Sequence, residues 1–211
     1  MAKKHDVTRR EFLRRGAMAG ALAGFPYIVP ASALGKDGHV APSERVVVGC
    51  IGVGNRGNDV LRATLQCKNA QVVAVCDVKR DWRENTAAVI NDFYANKDCA
   101  AYSHHEELVA REDIDAVNVA SCDHWHVLHA LAAVRAGKGV YVEKPLGLTI
   151  EQDQVLRGEV KKRNGVFQFG TQQRSDSKFR QACELVRNGY IGKLHTIYVW
   201  APPSSSGGYL E

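Results

Sequence analysis

Apolar residues recur along the chain in short β-branched runs separated by longer stretches with helical spacing. Residues 45–51 read as a strand buried on both faces, 71–76, 115–120, 139–142 and 166–169 as further strands, and 101–102 as a short strand. Between them, 58–66 places Val60, Leu61, Thr64 and Leu65 on one helical face, and 82–94 and 106–110 read as further helices. Helices over 127–136 and 150–163 are closed by Gly137 and by Asn164-Gly165. Strands alternating with helices predict a parallel, doubly wound α/β sheet with right-handed crossovers. The carboxyl ends of its strands then share one edge, where such sheets bind ligands. The texture changes after residue 169. A helix over 180–187 ends at Asn188-Gly189, a long strand is predicted over 194–200, and a Pro/Ser/Gly loop covers 202–208.

The N-terminus reads as an address. Residues 8–14, TRREFLR, resemble the twin-arginine export signal, Ser/Thr-Arg-Arg-x-Phe-Leu-Lys. Residues 16–35 carry no charge and are rich in Gly and Ala, with Pro26 and Pro30. That stretch is long enough to cross a bilayer but makes a poor permanent anchor. Ala31-Ser32-Ala33 supplies a small-residue cleavage site. Residues 1–33 are therefore expected to be a signal peptide and 34–44 a polar linker, with no stable membrane anchor. The resemblance implies the twin-arginine machinery as a partner and a periplasmic or extracytoplasmic location. It also suits a protein exported already folded around a cofactor.

The 28 basic and 23 acidic residues give a formal charge of +5. Six of those cations, Lys3, Lys4, Arg9, Arg10, Arg14 and Arg15, fall in the signal region, so the body is nearly neutral. No concentrated basic face is left for nucleic acid. Cys50, Cys67, Cys76, Cys99, Cys122 and Cys183 form no C-x-x-C pair. Cys50 and Cys76 fall in predicted core strands, and a protein folded before export forms its core under reducing conditions, so mostly free thiols are expected.

Gly52-Val53-Gly54-Asn55-Arg56-Gly57 fits G-x-G-x-x-G between a buried strand and a helix. Asp77 follows Gly57 by twenty residues, at the end of the next strand. Together they predict a Rossmann dinucleotide site over 45–169. Gly52 permits the tight turn, Gly54 lets the backbone approach a pyrophosphate, and Gly57 lets the helix pack close to the strand. Free N–H groups of the loop, around Asn55 and Arg56, face the phosphates. Asp77 can accept from both adenosine ribose hydroxyls and would repel a 2′-phosphate, favouring NAD over NADP. Lys79 and Arg80 pull the other way.

Two more segments end strands. Ser121-Cys122-Asp123-His124-Trp125-His126 is expected to line the nicotinamide site, with Ser121 and His126 touching cofactor. Asp123, His124, His126 and His129 are metal-ligand types, but the cluster lacks the H-E-x-x-H base, and no metal is expected. Glu143-Lys144-Pro145 places a lysine at a strand's carboxyl end. Glu143 can pair with Lys144 or hold the nicotinamide ribose, and Pro145 stiffens the turn.

In this order the three motifs resemble the Gfo/Idh/MocA oxidoreductase family, with its members glucose–fructose oxidoreductase and inositol dehydrogenase. Ser121 and Cys122 replace the Thr-Pro of the family's fourth-strand motif, while His126 and Glu143-Lys144-Pro145 match. Gly170-Thr-Gln-Gln-Arg174 and Ile191-Gly192-Lys193 are similar to its entry into a second domain. The resemblance implies an NAD(P)-dependent enzyme acting on a sugar or polyol carbon, a homo-oligomer when complete. Lys144 would orient the substrate hydroxyl and stabilise developing negative charge. Residues 170–211 are then the start of an incomplete α+β domain. The family's acid/base histidine lies in an Asp-x-x-x-His segment that has no counterpart here; the only histidine after position 129 is His195. The 211-residue chain is thus expected to bind NAD without turning over sugar, and to self-associate through 194–200. An NAD-dependent glycosidase and a non-catalytic dinucleotide-binding module are the alternatives.

Overall fold

The computed structural model describes residues 40–200. The expected signal peptide, its cleavage site and the 202–208 loop lie outside them. Six parallel strands form one sheet: β1 (Val46–Ile51), β2 (Ala70–Cys76), β3 (Ala100–Tyr102), β4 (Ala116–Val119), β5 (Gly139–Glu143) and β6 (Phe167–Gly170), in the order β3-β2-β1-β4-β5-β6. This is the Rossmann order, whose reversal point lies between β1 and β4.

The helices are α1 (Asn55–Leu65), α2 (Arg80–Tyr94), α3 (His105–Val109), α4 (His126–Arg135), α5 (Ile150–Arg163) and α6 (Ser177–Arg187). Leu61 and Leu65 of α1 and Ala87 and Ile90 of α2 pack with Val48, Cys50, Val72 and Val75 on one sheet face. Leu108, Val127, Leu131, Val134 and Leu156 of α3, α4 and α5 pack with Ile51, Val117, Val119, Val140 and Val142 on the other. With both faces covered, the central strands carry almost unbroken apolar sequence. The β1–β2 register slips between Val48 and Gly49, leaving Val73 without a partner. The slip puts Val72 and Val75 on one face and Ala74 and Cys76 on the other, against simple alternation.

Most boundaries fall within two residues of the sequence reading; two helix starts differ by three. α1 starts at Asn55 rather than residue 58, because the glycine turn runs directly into the helix with Gly54 as its N-cap. α6 starts at Ser177, where the Asp176 carboxylate accepts from the N–H groups of Lys178 and Phe179. One expected element is absent: residues 194–200 form no strand. No strand among the described residues lies alongside to complete their backbone hydrogen bonds, and the run stays exposed. Beyond Gly170 the described residues form a 3₁₀ turn, α6 and this extended run, with no second sheet.

All six cysteines are free; Cys50, Cys76 and Cys99 are buried, and Cys67, Cys122 and Cys183 are exposed. Burial pushes the Cys50 and Cys76 thiols up to about 12 and Cys99 up to about 11. Titration of native protein with a chromogenic disulfide at pH 8 should therefore modify Cys67, Cys122 and Cys183 quickly. The other three should react only after denaturant is added; rapid modification of all six would contradict this core.

Candidate functional site

β1 ends at Ile51, and the chain turns through Gly52 at φ +82°. The Gly52 N–H donates to the Cys76 carbonyl at 2.8 Å. A Cβ on Gly52 would collide with the Ser121 backbone, and one on Gly57 with the Gly52 carbonyl. Both glycines are therefore required, one for the turn and one so that α1 can lie against it. No side chain caps α1, so its first-turn N–H groups point outward without intrahelical partners. That is a ready anion site reinforced by the helix dipole. The space a Cβ on Gly54 would take is filled by the Trp82 ring.

Asp77 stands at the carboxyl end of β2. Its Oδ2 accepts from the Val53 N–H at 3.0 Å and its Oδ1 from the Lys79 N–H at 2.9 Å. Each oxygen keeps a second lone pair for a hydroxyl. The neighbouring cations are already engaged. The Lys79 ammonium lies 4.2 Å from the centre of the Trp82 ring, and Arg80 pairs with Glu84 at 2.7 Å. Arg83 donates to the Asp77 and Val78 carbonyls.

The loop after β4 closes the same cleft. Ser121 Oγ is 2.9 Å from His129 Nδ1. The His129 ring is stacked on Trp125 at 5.2 Å and lies 4.5 Å from His105. Burial, and then the neighbouring His105, lower the His129 imidazole to about 4, so it is neutral at pH 7 and can accept from Ser121. His126 is 1% exposed and lies behind the cleft. Its Nε2 is 3.0 Å from the Ser121 carbonyl and its Nδ1 2.6 Å from the Pro145 carbonyl, so the ring fills the space between the β4 loop and the turn after β5 and donates to one of the two.

At that turn Glu143 is 2% exposed. Its carboxylate accepts from Arg56 at 2.8 Å, from the Tyr141 hydroxyl at 3.2 Å, from the Lys144 N–H at 3.1 Å and from Gln172. The bond to Glu143 in turn raises the Arg56 guanidinium above its ordinary value. Lys144 is exposed, and the Lys144–Pro145 peptide is cis.

Of the sequence-derived residues, Gly52, Gly54, Asn55, Arg56, Asp77, Ser121, Cys122, His124 and Trp125 line one cleft of about 610 Å³. The structure does not bring the rest to that surface. Gly57 supports the helix, His126 fills the space between two loops, and Glu143 is committed to Arg56 and its neighbours. Glu143 therefore accepts from the Lys144 backbone rather than pairing with its side chain. Ser121 shares the cleft with Asp77, not with Lys144. Among the described residues no three His, Cys, Asp or Glu side chains are grouped to hold a metal. Sequence reasoning missed Trp82, His104 and His105 as lining. An adjacent pair of histidines right after the short strand β3 was the available signal.

The family model described as "Oxidoreductase family, NAD-binding Rossmann fold", GFO_IDH_MocA, matches residues 46–171. A glycosyl hydrolase family 109 protein of Saccharopolyspora erythraea is 31% identical over 211 aligned positions, 92% of this chain and 45% of that protein. The inositol 2-dehydrogenase/D-chiro-inositol 3-dehydrogenase of Shouchella clausii is 36% identical over 151 positions, 70% of this chain and 42% of that enzyme. The chain thus spans less than half the length of these relatives. Among solved structures, scyllo-inositol dehydrogenase from Lactobacillus casei with bound NAD(H) and scyllo-inositol superposes with a TM-score of 0.63 at 27% identity. The match covers 70% of this chain and 42% of that one.

His129 makes stability depend on pH. Its folded value lies below the ordinary 6.5, so the unfolded chain takes up a proton first as pH falls. The contribution is complete above about 6.5 and is lost progressively between there and about 4. Thermal melts at pH 7, 5.5 and 4.5 should show a smaller acid-induced drop in Tm for His129→Gln than for wild type. Equal drops would show that the ring protonates freely in the folded protein.

Proposed function

The chain belongs to the Gfo/Idh/MocA oxidoreductase family, with its NAD-binding Rossmann fold, and we propose that the cleft holds NAD for oxidation or reduction of a sugar or polyol carbon. The observation that carries this reading is the convergence of the glycine turn, the uncapped start of α1 and Asp77 on one cleft. A Cβ at Gly52 or Gly57 would strike protein backbone, and this close packing sets the start of α1 against the end of β1, the arrangement that fits a dinucleotide's phosphates.

In this reading the first-turn N–H groups of α1 hold the pyrophosphate, and the free lone pairs of Asp77 take the adenosine ribose hydroxyls. Asp77 repels a 2′-phosphate, while Arg80 and Arg83 are held by Glu84 and backbone carbonyls. Both features favour NAD over NADP. Bound NAD supplies a nicotinamide carbon that exchanges a hydride with the carbinol carbon. Lys144, one residue beyond buried Glu143 at the carboxyl edge of β5, is assigned to orient the substrate hydroxyl and stabilise its developing negative charge. The inositol dehydrogenases among the relatives support a polyol as the substrate class.

A second reading, a glycosidase that leaves NAD unchanged overall, rests on the family 109 relative, which aligns over 92% of this chain. Sugar release without net NADH separates it from a dehydrogenase. Export by the twin-arginine route is part of the proposal, supported by residues 8–14 and by Ala31-Ser32-Ala33.

Calorimetric titration should give tighter binding of NAD than of NADP. Asp77→Ala should weaken NAD by about tenfold or more, as expected for losing hydrogen bonds to a charged group, and narrow the gap to NADP. Tighter NADP binding by wild type would reverse the assignment of Asp77. In cells, replacing Arg9 and Arg10 together by Lys should leave uncleaved precursor in the cytoplasm. Normal processing of that variant would refute the export route.

A further inference from the structure

Trp82 stands where a dinucleotide must come. The second glycine of the fingerprint has no side chain so that a pyrophosphate can approach its backbone. Here the space beside Gly54 is taken by the Trp82 indole, whose six-membered ring edge meets the position of a Gly54 Cβ. Trp82 is 40% exposed and belongs to the first turn of α2. The Lys79 ammonium caps its face at 4.2 Å.

The same indole is a partition. On one side lies the 610 Å³ cleft with Asp77 and Ser121. On the other is a smaller hollow of about 240 Å³, lined by Asn58, Asn85, Thr86 and Val89. Trp82 and Gly54 line both. Asn85, Thr86 and Val89 sit on the next turns of α2, within reach of a rotamer change at Trp82 that leaves the helix backbone in place.

We propose that Trp82 is a two-position gate on the cofactor site: closed, its indole covers Gly54; open, it rotates into the Asn58–Val89 hollow and gives the pyrophosphate access to the loop. The proposal rests on the NAD reading above. Closure competes with the cofactor, so Trp82 lowers its affinity, opposite to the effect of an aromatic that stacks on a bound base.

Calorimetry on the full chain with NAD as probe tests this through the sign of one effect. Trp82→Ala removes the closed state and should tighten NAD binding about three- to tenfold, the scale of displacing a half-exposed ring from an apolar contact. Trp82→Phe keeps a ring over Gly54 and should stay within about twofold of wild type. In fluorotryptophan-labelled protein, the ¹⁹F line assigned to Trp82 by its loss in Trp82→Phe should shift when NAD is added. Weaker or unchanged binding by Trp82→Ala, or an unmoved Trp82 line at NAD saturation, overturns the gate while leaving the NAD site intact. If neither wild type nor either variant binds NAD, the functional reading falls and the gate with it.

Discussion

The contact of Gly57 with the carbonyl of Gly52 fixes the geometry of this site. Any side chain at Gly57 would drive α1 away from the end of β1. With α1 seated, its unpaired N–H groups face the carboxyl edge of the sheet, and the turn leaves no room for a Cβ at Gly52 beside the Ser121 backbone. The Val53 N–H is presented to Asp77 by the same turn. Two missing methyl groups thus bring together three strand ends distant in sequence. The apolar packing of α1 through Leu61 and Leu65 stabilises the arrangement by about 2 kcal/mol per side chain.

The second organising element is electrostatic. A carboxylate as deeply buried as Glu143 carries a desolvation cost of several kcal/mol unless charge and hydrogen bonds offset it. Arg56 supplies the charge, and Tyr141, Gln172 and the Lys144 N–H supply the neutral donors. Arg56 also lines the cleft, so one guanidinium links the glycine loop to the end of β5. His126 lies between the Ser121 and Pro145 carbonyls and donates to one of them. The cleft and the Lys144 turn are therefore held in fixed relation by polar bonds.

Much of this was readable from the residues. The strands announced themselves because parallel strands covered on both faces have to be apolar throughout, as in Val46-Val47-Val48. The glycine fingerprint was readable because backbone conformation and close approach restrict residue type there. The roles of His126 and Glu143 were not. Both lie at strand ends beside a site, and only three-dimensional contacts show that their polar atoms are used up by other protein groups. Trp82 was hidden for a similar reason: on the pattern of α2 it reads as one apolar position among several. The strand expected over 194–200 had the right alternation, but alternation specifies a face and not a partner.

The strand order has a consequence for how the chain comes together. Most neighbouring strands are separated by a single crossover, but β1 must find β4 across an entire half of the domain. The Val47 N–H, for example, donates to an Asp115 carboxylate 68 residues further on. The entropy lost in closing a loop rises with its length, so this central seam has the largest closure cost in the sheet. Each flank can gather its own hairpin-sized neighbourhood while the middle is still open. The cleft spans that seam, with Gly52 and Asp77 on one side and Ser121 on the other, and so it exists only once the slowest kind of contact, a non-local parallel pairing, has been made.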